Sequence, residues 1–136
     1  MQLSIIRPTL PSMSEIMQLV GPSWESGTVT LGPVVRSLEE EVCQRTGAQY
    51  CVALSSCMTG LMMMPGALGL PQGAEVIVPS FTFAATAQAL LWNGLIPVFV
   101  DCLPGTCTIN LADIERNLSP KTAAICAVSI FGLPPD

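Results

Sequence analysis

The sequence predicts an α/β fold, a largely parallel sheet with helices on both faces. Four short apolar runs, at residues 50–54, 75–78, 96–100 and 123–129, follow one another at spacings of about 20 to 27 residues. Stretches of helical pattern or capping signal fill the gaps, as in repeated βα units. The runs also lack the polar alternation of a half-exposed sheet, as strands buried on both faces do.

Each element has a local reason. Ser12 and Glu15 have capping-box spacing, and Ile16, Leu19 and Val20 follow on one helical face. Residues 25–33 are rich in Ser, Gly and Thr and read as a loop. Pro33 suits a first helical position, Val34, Leu38 and Val42 recur four residues apart, and Gly47 supplies the stop. Arg36, Glu39 and Glu40 of that helix are expected to face water. After the first apolar run comes Ser55-Ser56-Cys57-Met58-Thr59-Gly60, then a helical stretch to about Leu68. Pro65 lies inside it and is expected to kink the helix or end it early, because proline removes a backbone hydrogen bond. A helix over 83–93, closed by Gly94, follows the second run, and Asn110 can cap a helix over 111–118. The organisation expected is a lead-in helix and loop over 1–33, then a domain over 34–136.

Composition narrows the function. Half the residues are hydrophobic and only 11% are charged, against about 25% in an average soluble domain. The chain is therefore mostly interior, or a partner covers much of it. A membrane span is not expected: the longest apolar stretch, 84–100, is broken by Gln88, Asn93, Gly94 and Pro97. Pro8 and Pro11 interrupt the N-terminus, which does not read as a signal peptide. Net charge is −5, and the five basic residues (Arg7, Arg36, Arg45, Arg116, Lys121) are scattered, so no nucleic-acid partner is expected. Six cysteines without a CxxC pair, and no histidine, argue against a structural zinc site. They read as reduced thiols in apolar runs of a cytoplasmic protein.

Three strand ends are candidate sites. The turn 55–60 opens a helix, whose first N–H groups and dipole can seat a phosphate; ordinary N-capping by Ser56 or Thr59 explains the same residues. The segment from Pro79 to Thr86 also leads from a strand into a helix, and ligands in open α/β sheets bind outside the carboxyl ends of strands. Phe83 there could stack on a flat ring, or belong to the core. Asp101 ends the third run and reads as a cap of the next turn, with no catalytic role. Residues 129–136 follow the fourth run.

Taken in order, Thr30-Leu31-Gly32-Pro33, Leu38-Glu39-Glu40, Gly47, the serine-rich turn, residues 73–86 (GAEVIVPSFTFAAT) and 97–101 (PVFVD) resemble the DegT/DnrJ/EryC1/StrS family. The resemblance runs from about Pro8 to Asp136. It implies that the domain over 34–136 is incomplete, part of the large domain of an aspartate-aminotransferase-like transferase of PLP fold type I. It implies an activity too: pyridoxal 5'-phosphate-dependent transfer of an amino group from glutamate to a nucleotide-linked keto sugar, in a homodimer with active sites at the interface. In the family a small residue and a threonine after the first strand hold the cofactor phosphate. Those positions are Cys57 and Met58 here. Met58 has no hydroxyl to donate, but the backbone N–H groups and the adjacent Thr59 do remain. The aromatic that stacks on the pyridine ring falls on Phe83. The family often carries histidine where Ser129 stands and a polar residue where Leu133 stands.

The resemblance also places the aspartate that pairs with the pyridinium nitrogen, and the lysine that forms the internal Schiff base, beyond residue 136. The one lysine, Lys121, matches a surface turn before a strand. The expected reading is thus the front part of a sugar aminotransferase. A non-catalytic remnant or pairing partner of a full-length relative, and a PLP-dependent sugar dehydratase, stay open beside it.

Overall fold

A computed structural model describes residues 8–135; residues 1–7, with Arg7, and Asp136 lie outside the described residues. The chain divides into two compact units, Met1–Ala53 and Leu54–Asp136.

The first unit holds α1 (Met13–Glu25) and α2 (Pro33–Thr46). The capping box expected at Ser12 forms: its hydroxyl accepts from the Glu15 N–H at 3.3 Å, and its own N–H donates to the Glu15 carboxylate at 2.8 Å. The Ser12 hydroxyl, which also donates to that carboxylate at 2.6 Å, and then the Ser12 N–H hold the Glu15 carboxyl below its ordinary value. Pro33 opens α2, and Gly47, at φ +74, closes it with an N–H donated to Cys43. That left-handed backbone favours glycine. No described residue of this unit is buried, and Leu38 and Val42 stay exposed. Glu39 departs from the expected solvent role: its carboxylate accepts the Ala53 N–H at 2.9 Å.

The apolar run at 50–54 is not a strand. Three strands form among the described residues, and none pairs with it. An extended segment without a ladder partner must satisfy its N–H groups otherwise, and the Glu39 carboxylate does so for Ala53.

The second unit contains α3 (Cys57–Ala67), β1 (Glu75–Pro79), α4 (Ala85–Trp92), β2 (Ile96–Val100), α5 (Leu111–Asn117) and β3 (Thr122–Ile125). The strands are parallel in the order β2-β1-β3. Central β1 is buried on both faces. Val76 and Val78 pack with Leu90 and Leu95 on the α4 side. Ile77 packs with Val100, Ile109 and Ile114 on the α5 side. The expected burial of every strand holds for β1 only. In β3 half-buried residues alternate with exposed ones, and β2 is exposed or half-buried as far as Phe99, because both lie at sheet edges. Pro97 is tolerated in β2 for that reason. The fourth run is strand only as far as Ile125, with one more ladder bond from the Cys126 N–H to the Ile77 carbonyl, short of the expected 129.

Pro65 sits in the last turn of α3, which ends two residues later at Ala67. Only the bond that its N–H would have donated one turn back is forgone. Gly94 ends α4 at φ +69, and a Cβ there would lie 2.9 Å from the Gln72 side chain. The left-handed backbone favours glycine, and any Cβ would make the Gln72 side chain shift.

Beyond β2, Asp113 ties the chain down. One carboxylate oxygen accepts the Asp101 N–H at 2.7 Å, and the other accepts from Arg116 at 2.8 Å. The Asp101 N–H and then Arg116 hold this carboxyl below its ordinary 3.8. A carboxyl depressed in the folded state adds stability at pH above its ordinary value and loses it as pH falls through the depressed one. Acid unfolding followed by circular dichroism is expected to show a flatter acid limb below pH 3.8 for Asp113→Asn than for the unaltered chain. Equal limbs would show that the clamp contributes nothing.

Candidate functional site

The strands run parallel, so their carboxyl ends share one side of the sheet, and the second unit has a cleft there. The cleft measures about 500 Å³ and is walled mostly by apolar atoms. Three segments build it: the first turn of α3, the turn from β1 into α4, and the segment after β3.

The α3 turn forms because Ser56 is an N-cap in extended backbone, its hydroxyl accepting the Thr59 N–H at 3.1 Å. The Thr59 hydroxyl lies 2.9 Å from that of Ser56 and 3.4 Å from that of Ser55. Three hydroxyls thus cluster at the positive end of an 11-residue helix. The N–H groups of Cys57 and Met58 have no hydrogen-bond partner among the described residues. The cap uses Thr59 and leaves the two preceding donors free to meet an anion.

Cys57, Met58 and Phe83 line the cleft together; Thr59 does not, and reaches it through its bond to Ser56. Phe83 is 80% exposed, so it is not a core residue. Behind it the turn is braced by Thr82 and buried Thr86, whose hydroxyls lie 2.9 Å apart. Ser129 lines the cleft and Leu133 does not.

Asp101 lies outside this cleft. It acts through its backbone, donating to Asp113 and accepting from Asn110, and no side-chain cap is formed. Lys121 lies in the exposed turn expected of it. Its carbonyl accepts the Glu75 N–H at the start of β1, the end of the sheet opposite the cleft. All six cysteines are free; Cys57 is exposed and the other five are half-buried, so the expected core positions are not reached. Burial pushes the Cys126 thiol up. No group of metal-ligating residues occurs among the described residues. Within the searched residues, no helix is long and apolar enough to cross a membrane.

Sequence reasoning missed Ile130 and Phe131 as cleft residues. Their one signal was position, directly after the fourth apolar run. It also missed that Ser55 and Ser56 join Thr59 in one hydroxyl cluster.

A parallel sheet flanked by helices, with a helix N-terminus and an exposed aromatic at its carboxyl end, is the arrangement expected of part of a pyridoxal-phosphate transferase-like large domain. The model of the DegT/DnrJ/EryC1/StrS aminotransferase family matches residues 12–136, and the chain belongs to that family. It is 40% identical over 126 residues to a UDP-N-acetyl-3-dehydro-alpha-D-glucosamine 3-aminotransferase of Acidithiobacillus ferrooxidans, covering 93% of this chain and 34% of the relative. It is 34% identical to a dTDP-4-amino-4,6-dideoxy-D-glucose transaminase of Escherichia coli, covering 96% and 35%. The crystal structure of NtdA from Bacillus subtilis, with bound cofactor PMP, superposes with a TM-score of 0.83 at 33% identity, over 88% of this chain and 27% of that one. The chain thus spans about a third of the length of the curated relatives it matches.

Met58 places a thioether beside the Cys57 and Met58 N–H donors on the cleft wall. Met58→Thr is expected to tighten inorganic phosphate or pyridoxal phosphate by about 0.5 to 1.5 kcal/mol, the worth of one added hydrogen bond. Calorimetric titration measures it, and no gain would mean that the turn is a helix cap only.

Proposed function

We propose that residues 34–136, behind a lead-in over 1–33, form the front of the large domain of a pyridoxal 5'-phosphate-dependent aminotransferase. Its substrates are a nucleotide-linked keto sugar and glutamate, and it works as a homodimer in the cytoplasm. The observation that carries the proposal is the convergence of Cys57, Met58 and exposed Phe83 on one cleft at the carboxyl ends of the strands. The relatives' names supply the sugar class. Six free cysteines agree with a reducing compartment.

The residues present fit the cofactor. The cleft volume lies within the usual range of small-molecule sites, about 300 to 1,000 Å³. The N–H groups of Cys57 and Met58 would bind the phosphate, and the Ser55, Ser56 and Thr59 hydroxyls would orient it. Phe83 would hold the pyridine ring by stacking and keep water from that face. When bound, the cofactor supplies an electron sink for the carbon that loses or gains the amino group. Lys121 cannot reach the site from the opposite end of the sheet. The lysine that holds the cofactor and moves protons therefore has to come from elsewhere. That same observation supports a second reading, in which this chain is a non-catalytic partner of a complete relative.

Two measurements test the proposal. Phe83→Ala is expected to weaken pyridoxal phosphate about threefold to tenfold, the worth of one aromatic stack, with inorganic phosphate binding unchanged. Borohydride reduction after incubation with pyridoxal phosphate is expected to leave no specific label on Lys121. Unchanged affinity in the first, or a single Lys121 adduct with turnover in the second, would overturn the assignment.

A further inference from the structure

We infer that Phe131 is a second aromatic wall of the cleft, braced by Phe81, and that it sets the position of a flat ring beside Phe83. The inference rests on the cofactor reading above and extends it to residues which that reading does not use.

The first observation is the backbone. Phe131 adopts φ +52, ψ +22, in the left-handed region, and Gly132 follows at φ +82. Glycine tolerates that region freely, whereas a bulky side chain occupies it at a cost. Residues held there cluster at ligand sites, where the surroundings impose the conformation. Here a tight turn imposes it: Gly132 N–H donates to the Ser129 carbonyl at 3.1 Å, and Leu133 N–H to the Ile130 carbonyl at 2.9 Å.

The second observation is exposure. Phe131 is 87% exposed, so its ring is not buried in exchange for the unfavourable backbone. Core packing among the described residues does not explain a phenylalanine at this position.

The third is contact. Phe131 lines the same cleft as Phe83 and Met58, while Phe81 does not line it. The Phe81 and Phe131 rings lie 6.2 Å apart, centroid to centroid, tilted by 55°. That is a favourable aromatic geometry. Phe81 is therefore a positioning residue: it fixes the rotamer of Phe131 and acts on the ligand through it. Two exposed rings on one cleft, beside a phosphate seat, suit a planar conjugated anion better than a flexible one. An aromatic wall adds to the affinity of the ring and adds nothing to that of the phosphate.

The test compares pyridoxal phosphate with inorganic phosphate as probes of the chain, reading affinity by titration and ring placement by the circular dichroism induced in the bound chromophore. Phe131→Ala is expected to weaken pyridoxal phosphate about threefold to tenfold, to reduce the induced signal, and to leave phosphate affinity unchanged. Phe131→Tyr restores both readouts, since it keeps the ring, and also guards against a folding defect in the alanine variant. Phe81→Ala is expected to reduce the induced signal with a smaller change in affinity. If Phe131→Ala binds pyridoxal phosphate like the unaltered chain while Phe83→Ala does not, this inference falls and the cofactor reading stands. If Phe83→Ala is also without effect, or the unaltered chain binds no pyridoxal phosphate, both fall. Equal losses for pyridoxal phosphate and phosphate in Phe131→Ala that Phe131→Tyr does not repair would also overturn it.

Discussion

The second unit depends on the burial of β1 on both faces. Val76 and Val78 point to one side and Ile77 to the other, each almost without exposure. Fully burying such a side chain is worth about 1.5 to 3 kcal/mol. Because side chains alternate along a strand, a slip of one residue would exchange the α4 and α5 faces. The register with β2, Ile77 beside Val98 and Pro79 beside Val100, is fixed in consequence. The functional geometry follows from that register. Pro79 ends β1 where the chain must turn into α4, which brings Phe83 to the carboxyl end of the sheet. There it meets the N-terminus of α3 and the turn after β3.

The periphery of the unit is less satisfied. Ile96, Phe99 and Ile125 on the two outer strands are about half exposed, and Trp92 on α4 is more so. Outer strands also carry unpaired backbone groups, which recruit other chains when left open. The first unit has apolar helical faces and no buried residue among those described. A chain with 11% charged residues has few groups to keep such surfaces apart in water. These surfaces accord with a chain that spans about a third of its relatives' length.

Local rules were legible wherever one residue type decides the matter. The Ser12–Glu15 box, Pro33 at the start of α2, Gly47 and Gly94 at helix ends, and Asn110 before α5 were read from chemistry that acts within one turn. β2 was read to its ends, and β1 to within a residue. What failed depends on distant partners. Residues 50–54 have the composition of a strand, but a strand needs a neighbour, and none is present among the described residues. The burial of β2 and β3 was overestimated because an apolar run does not say whether its strand is central or at an edge. The candidate site was half legible. A serine-rich turn before a helix and an aromatic after a strand mark residues 55–60 and Phe83, and the family resemblance singles out Cys57 and Met58. The left-handed Phe131 is invisible to propensity, since the turn that imposes it comes from hydrogen bonds within residues 128–133.

The central claim is that the sheet carries a phosphate seat at the start of α3. Backbone amide exchange, followed residue by residue with and without pyridoxal 5'-phosphate, tests it most directly. The account predicts that Val76, Ile77 and Val78 exchange slowest in both conditions. It predicts that the cofactor slows Cys57 and Met58 while leaving the helices of the first unit unchanged. Protection confined to α1 and α2, or no change at Cys57 and Met58 when the cofactor is bound, would contradict it.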